Sequence, residues 1–485
     1  MKNITHRNLI ILAAIGFGLG GEGLLWLFIG GAPSQGLLMS LPVVIAYATT
    51  GALTWWYLIR RDFKFSVWRG IAIGLIVGLI ALPVFWLFVT IFYNLVGEDL
   101  PVFDRQVNLL EALQLLPKVT LVAWEILGVA SAAIGAFVSG ILGFIVARSL
   151  REPPAKSKFE RILNIVGILL VITGLFMLVV GLIPVSTGGL ESQPNPVHDY
   201  ETALIQLENI QSNDLSENIV EVCKTQWLTH GYKTEKVVVF FHGLSNCPAQ
   251  FDPLAGEFFD QGYNVIIARF PAHVDISRHP RYMTPTAEDF RPMADLAIDL
   301  AHGLGDEVYV LGLSAGGGVA AWIAQYRNDV ERVVLVAPFF GLIGLPSGIN
   351  QWVINLTTRL PNIPISSTSP VPYQYLGMST MGIGESMRFA QLPREDSLTQ
   401  PSGAGTIVLV TVENDLVVSN KMAQRVLSQW EANGAQVDEF IFDAEFGLPH
   451  DVIDIHQNKA NPDLVYPVMI DIIEGRTPLI PSVGQ

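Results

Sequence analysis

Val308-Tyr309-Val310-Leu311-Gly312-Leu313-Ser314-Ala315-Gly316-Gly317-Gly318-Val319-Ala320 is the stretch on which the reading of this chain turns. Val308–Leu311 is a short, continuous apolar run of the kind that forms a buried strand. From Gly316 to Tyr326 the residues are mostly small and apolar and contain no proline, which suits a helix lying on a sheet. Between the two stands Gly312-Leu313-Ser314-Ala315-Gly316, the pattern GxSxG. In a chain with 44 glycines the bare pattern says little, and its position carries the information. A serine at a strand-to-helix turn is lifted above the sheet edge on a strained backbone, where neighbouring chain leaves no room for side chains. The N–H that follows lies at a helix N-terminus, where developing negative charge is stabilised. Ser314 is therefore the first candidate nucleophile.

On either side of this stretch, apolar runs recur at Val237–Phe241, Asn264–Ala268, Val333–Val336 and Thr406–Val412, with a weaker one at Phe440–Phe442. Helical stretches such as Asp289–Leu304 fall between most of them. Short apolar strands alternating with helices predict a mostly parallel sheet covered on both faces, an α/β domain over residues 236–485. Residues 338–403 break the rhythm, and their Pro, Met, Trp and Tyr content predicts a small helical cap over about 339–403. Before the domain, residues 185–235 read as a Ser/Gly/Pro-rich tether, Val185–Pro196, and a lead-in helix near Tyr200–Ile210.

The first 184 residues have a different character. Of the 485 residues, 50% are hydrophobic and only 15% charged, against about 25% charged in an average soluble protein. Residues 1–184 carry a net charge of +4 and residues 185–485 a net charge of −19. Five stretches approach or exceed the ~20 apolar residues that cross a bilayer as a helix: 8–30, 37–59, 70–95, 119–147 and 162–184. No small-residue cleavage site stands out after the first, which is read as retained. Gly70, Gly74 and Gly78, then Ala132, Ala136 and Gly140, make small-residue stripes that predict a compact helix bundle. Glu22 and Glu125 are the ionisable groups inside these stretches, and protonation or snorkelling to water is the plain reading of both. The GxGxxG match at Gly18–Gly23 has no preceding strand and does not read as a dinucleotide site. The acidic soluble half argues against nucleic acid as a partner. Two cysteines and the absence of a ligand-spaced His/Cys/Asp/Glu cluster leave no metal site or cofactor to propose.

Three further segments follow the elbow's logic. Phe240-Phe241-His242-Gly243-Leu244-Ser245-Asn246 ends a strand in His-Gly, Val412-Glu413-Asn414-Asp415 follows a strand, and Pro449-His450-Asp451 follows the last one. With the elbow, these make the chain from about Lys236 to His456 resemble the α/β-hydrolase family, near its bacterial esterase, lipase and serine-aminopeptidase-like branch. The resemblance implies Ser314 as nucleophile, His450 as general base and acid, and Asp415 as the residue orienting His450. It implies an oxyanion hole from the backbone N–H groups of Leu244 and Ala315. His456, read as lying a turn or two into the following helix, competes with His450; Glu413 and Asp443 compete with Asp415; and His242 reads as a loop-ordering residue. Arg269-Phe270-Pro271-Ala272-His273 departs from the family's arginine–x–proline–glycine–histidine–glycine turn, which puts the local pocket wall in question.

The expectation is a serine hydrolase held in the lipid bilayer and acting on a carboxylic ester, with acyl and lipid esters as the first candidates. The alternative is a membrane receptor or scaffold whose hydrolase-like domain binds a ligand without turnover. Counting Lys and Arg in the loops puts eleven on the side of the N-terminus and two, Arg105 and Lys118, on the other. That bias predicts a cytoplasmic N-terminus and an extracytoplasmic hydrolase domain. Such a compartment permits disulfides and makes Cys223 and Cys247 a candidate pair, with two buried free thiols as the other reading.

Overall fold

The computed structural model describes residues 6–29, 33–60, 67–96, 131–132, 134–144, 176–177, 179–216, 219–273, 283–343, 347–366 and 371–478. They fall in two compact units: Met1–Pro184 with Gly344–Val353, and Val185–Ile343 with Ile354–Gln485.

In the first unit, α1 (His6–Ile29), α2 (Pro33–Arg60) and α3 (Val67–Val96) coincide with the first three expected spans. The described part of the fourth includes the apolar helix α4 (Ile134–Phe144), and the fifth lies mostly outside the described residues. Among the described residues one helical segment, Val67–Ile91, is long and apolar enough to cross a membrane; Ile10–Gly21 and Ile134–Phe144 are shorter apolar helices. Small residues do bring backbones together here. A Cβ on Gly74 would stand 1.9 Å from the Gly135 carbonyl oxygen, so α3 and α4 touch main chain to main chain. The Ser131 hydroxyl donates to the Gly78 carbonyl at 2.6 Å in the same seam. Gly18–Gly23 lies within α1 rather than at a strand-to-helix turn, and Glu125 lies outside the described residues.

The second unit is built on a seven-stranded sheet. In chain order its strands are β1 (Gln226–Leu228), β2 (Thr234–Phe241), β3 (Asn264–Ala268), β4 (Gly305–Leu313) and β5 (Arg332–Val336), then β8 (Thr406–Val412) and β9 (Gln436–Phe442). Two short strands, β6 (Pro364–Ser366) and β7 (Gly377–Ser379), pair separately as an antiparallel ribbon. The sheet order is β1-β3-β2-β4-β5-β8-β9; only β1 is antiparallel to its neighbour. β1 has three half-buried residues and no periodic signal, so no strand is expected there from the sequence.

The helices of this unit follow the expected alternation. α5 (Tyr200–Ser216) extends the lead-in helix, α6 is Asp252–Asp260, α7 is Ala287–Leu304 and α8 is Ala315–Tyr326. α7 starts with a capping box, Thr286 and Asp289 satisfying each other's backbone N–H groups. α10 (Thr380–Asp396), α11 (Asn420–Ala432) and α12 (Pro462–Ile473) complete the series, and α9 (Ser347–Thr357) is divided between the two units after Val353. Leu254 and Phe258 of α6 and Val465, Met469 and Ile473 of α12 join Val238, Phe240, Leu311, Val334 and Val410 in one core on one face of the sheet. α8 and α10 pack together, with the Trp322 and Phe389 rings stacked at 5.3 Å.

Three expectations change. The cap is smaller than 339–403: every residue from Gly382 to Pro393 is buried, so α10 is a layer of the core, and residues Gly344–Val353 group with the first unit. The segment read as a tether is fastened along this unit. Arg388 donates to the Ser186 carbonyl at 2.6 Å, Trp322 Nε1 to the Leu190 carbonyl at 2.8 Å, and Asp295 and Asp299 accept the N–H groups of Gln193 and Asn195 at 2.9 and 3.0 Å. Finally, His456 lies in a loop rather than in the last helix. α12 starts only at Pro462, where the Asn461 side chain accepts the Leu464 N–H at 3.3 Å.

Candidate active site

Ser314 stands between the end of β4 and the start of α8 with φ 57° and ψ −114°, a conformation that L residues rarely adopt. Holding it costs on the order of 1–3 kcal/mol, which the surroundings must supply. They do so with three backbone bonds. The Ser314 N–H donates to the Val336 carbonyl at 2.9 Å, and its carbonyl accepts from Gly318 at 3.0 Å and Phe339 at 2.8 Å. The glycines around it answer to space: a Cβ on Gly316 would lie 1.9 Å from the Phe241 carbonyl oxygen. Gly316→Ala is accordingly expected to destabilise the domain by about 3 kcal/mol or more through overpacking against rigid main chain. Thermal unfolding of the purified variant checks this, and an unchanged midpoint would contradict the close approach.

Asp415 and His450 meet at the same carboxyl edge. His450 Nδ1–H donates to Asp415 Oδ2 at 2.6 Å. The other oxygen, Oδ1, accepts the N–H groups of Val417 at 2.7 Å and Val418 at 3.1 Å, so the carboxylate is held from both ends. Asp415 is fully buried at its side chain, while the His450 side chain keeps 16% of its surface exposed. Burial alone would pull the imidazolium down; the Asp415 charge and hydrogen bond, with Asp451 behind them, outweigh it and hold His450 above the ordinary histidine value. With Nδ1–H committed to Asp415, Nε2 carries the lone pair, and among the described residues that buried atom has no hydrogen-bond partner. Two of the competing groups are engaged elsewhere. Glu413 accepts the Ala444 N–H at 2.8 Å, and His456 Nδ1 pairs with Asp454 at 3.1 Å.

The loop after β2 approaches the elbow from the neighbouring strand; a Cβ on Gly243 would be 3.8 Å from Ser314 Cβ. Among the described residues neither Leu244 nor Ala315 gives its backbone N–H to an acceptor. His242 is buried completely beneath the loop, accepting the Phe270 N–H on Nε2 at 3.1 Å and donating from Nδ1 to the Gly243 carbonyl at 2.9 Å. Burial, with His273 and Arg269 nearby, holds it well below the ordinary histidine value, so it stays neutral and structural. The departure at Ala272 falls where the backbone is left-handed: φ is 58°, so the alanine carries a Cβ penalty that a glycine would not. The turn still delivers the buried His273, whose Nε2 is 2.7 Å from the Leu244 carbonyl.

Cys223 and Cys247, the candidate pair, are joined, with sulfurs 2.07 Å and Cα atoms 5.1 Å apart. The bridge ties the turn at Glu221–Cys223 to the chain just after Leu244. Beside it lies a side-chain network that sequence reading misses. Buried Asp451 accepts from Gln250 at 2.7 Å and Asn246 at 3.3 Å. Gln250 in turn accepts the Gly243 N–H at 2.8 Å. Adjacency to His450 could have flagged Asp451; nothing local flags Gln250.

A parallel sheet with a strained serine at a strand-to-helix elbow, and an Asp–His pair on two later loops of the same edge, is the α/β-hydrolase fold. Residues 238–450 match the profile of the Alpha/beta hydrolase family. No curated protein matches the sequence. Among solved structures, the chain is similar to the metagenome-derived lipolytic enzymes LipS and LipT at 16% identity and a TM-score of 0.40, covering 53% of this chain and 99% of that one. A soluble variant of monoglyceride lipase from Saccharomyces cerevisiae matches at 16% identity and a TM-score of 0.39, over 53% of this chain and 92% of that one. The monoacylglycerol lipase of Paleococcus ferrophilus matches at 15% identity and a TM-score of 0.36, over 46% and 93%.

Proposed function

We propose that this chain is a membrane-anchored serine hydrolase that cleaves a carboxylic ester through an acyl-enzyme intermediate. The observation that carries the reading is the His450 ring, bonded at Nδ1 to Asp415 and, among the described residues, left without a partner at Nε2, on the edge that also bears Ser314. In this scheme Nε2 takes the Ser314 hydroxyl proton as Oγ attacks the ester carbonyl. The carbonyl oxygen becomes an oxyanion held by the N–H groups of Leu244 and Ala315. His450 then passes the proton to the departing alkoxide, leaving Ser314 acylated. Water, deprotonated by the same Nε2, attacks the acyl carbonyl, and Ser314 recovers the proton as the acid leaves. A serine-reactive fluorophosphonate applied to the full-length protein tests this. Labelling that disappears in Ser314→Ala supports it; absent or Ser314-independent labelling leaves a binding domain without turnover.

For substrate, part of the sequence argument falls away. Of the apolar cap residues that suggested an acyl-binding surface, Phe339, Phe340 and Leu356 are buried in the domain core, while Leu342, Ile343, Trp352 and Val353 are half-buried. Leu416 takes their place: it is 66% exposed, next to Asp415, with Val417 exposed beside it. An apolar rim at the catalytic edge favours an acyl ester, since each buried methylene contributes about 0.8 kcal/mol. Rising kcat/KM from acetyl to dodecanoyl esters is the expected result.

The membrane reading is a five-span domain with the N-terminus in the cytoplasm and the hydrolase domain outside. It rests on the apolar runs, the Lys/Arg bias and the span-length helix Val67–Ile91. The Cys223–Cys247 bridge suits an oxidising compartment. Protease added outside intact cells is expected to remove the C-terminal domain; digestion only after the cytoplasmic face is opened would reverse the orientation.

A further inference from the structure

We infer that Asp451 is a positioning residue that sets the oxyanion loop through Gln250, and so couples the loop bearing the general base to the loop bearing an oxyanion donor. The inference rests on the hydrolase reading above. Asp451 immediately follows His450, is buried, and is surrounded by donors. Its Oδ1 accepts the N–H groups of Ile453 at 3.2 Å and Asp454 at 3.1 Å. Its Oδ2 accepts from Gln250 at 2.7 Å, Gln457 at 3.0 Å and Asn246 at 3.3 Å.

An ionised carboxylate only accepts, whereas an amide has one accepting and one donating end. Asp451 therefore obliges Gln250 to turn its NH₂ inward, which leaves Oε1 facing the Gly243 N–H at 2.8 Å. Gly243 precedes Leu244, whose N–H is the proposed oxyanion donor. The Leu244 carbonyl is held separately by His273 at 2.7 Å, so the Leu244 residue is gripped on both sides. Burial and the neighbouring Asp454 hold the Asp451 carboxyl above the ordinary carboxylate value, against the opposing pull of its donors.

Asp451→Asn keeps the shape and removes this logic. Either its NH₂ faces the two backbone donors, or it faces Gln250, which must flip and present its own NH₂ to the Gly243 N–H. The reciprocal change restores the order along positions 451, 250 and Gly243, while the amides of Asn246 and Gln457 lose their acceptor. In the double variant Asp451→Asn/Gln250→Glu, the new amide donates to the carboxylate introduced at position 250, whose second oxygen accepts from Gly243.

The experiment compares wild type, Asp451→Asn and the double variant as full-length protein in detergent, measuring kcat and KM on a soluble ester and unfolding by circular dichroism. Asp451→Asn is expected to lose about 100-fold in kcat with KM within about threefold, because the donor is needed in the transition state and not for ground-state binding. The double variant is expected to recover at least about tenfold of that loss, since it re-forms the same donor–acceptor order. Wild-type kcat in Asp451→Asn, or a double variant no more active than the single one, overturns the inference; so does a loss confined to KM. Where Asp451→Asn does not fold, the double variant decides alone: kcat within about tenfold of wild type supports the coupling, and a larger loss refutes it. Absence of Ser314-dependent turnover in wild type would instead refute the hydrolase reading itself.

Discussion

Ser314→Ala and His450→Ala are each expected to lower kcat by about 10⁴-fold or more while KM changes little, because each removes a group that acts in the reaction rather than in binding. The Ser314 variant should keep its fold, strained turn at φ 57° included. The main-chain bonds that hold that turn, to Val336, Gly318 and Phe339, do not involve the hydroxyl. Combining the two substitutions should cost little more than either alone, because the nucleophile and its base act as a unit. Steady-state kinetics on a chromogenic ester provide the measurement. Turnover near wild type in either single variant would remove these residues from the chemistry.

Asp415→Asn is the second large effect, expected at about 10⁴-fold in kcat at neutral pH. The amide keeps the volume, but its donor end must face either His450 Nδ1–H or the N–H groups of Val417 and Val418, and all three are donors. His450 is then driven toward the tautomer that puts its hydrogen on Nε2, where a base needs the lone pair. The pH dependence has a definite sign. In wild type the Asp415 charge holds the His450 value above the ordinary one against the opposing pull of burial. Without that charge burial prevails, the imidazolium is lost at lower pH, and the rising limb of kcat/KM moves toward acid. A limb that stays in place, or moves toward alkali, would show that Asp415 does not control this titration.

Features encoded locally are legible in the chain. Apolar runs place β2, β3, β4, β5 and β8 because burial on both faces of a parallel sheet demands continuous apolar residues, while β9, at the sheet edge with only Phe442 buried, shows the weaker run. The elbow is legible because a Cβ on Gly316 would stand 1.9 Å from the Phe241 carbonyl oxygen, so the position admits no side chain. Chain order names Ser314, Asp415 and His450 as candidates. Proximity is another matter: the 2.6 Å contact between Asp415 and His450 spans 35 residues of chain. The cap is smaller than its composition suggests because an amphipathic surface and a core helix share the same apolar content, and packing against α8 assigns α10 to the core. The segment after Pro184 reads as a free tether because Ser, Gly and Pro report a lack of regular structure, not a lack of partners; Arg388 reaches Ser186 across 202 residues. Burial periodicity and turn sterics are written in consecutive residues, so the alternation of elements and the elbow can be read before any fold is known. The bond from Gln250 to Asp451 spans 201 residues and exists only once the two loops have been brought together, and the setting of the oxyanion loop depends on it. A hydrogen bond between distant side chains leaves no mark on the sequence neighbours of either.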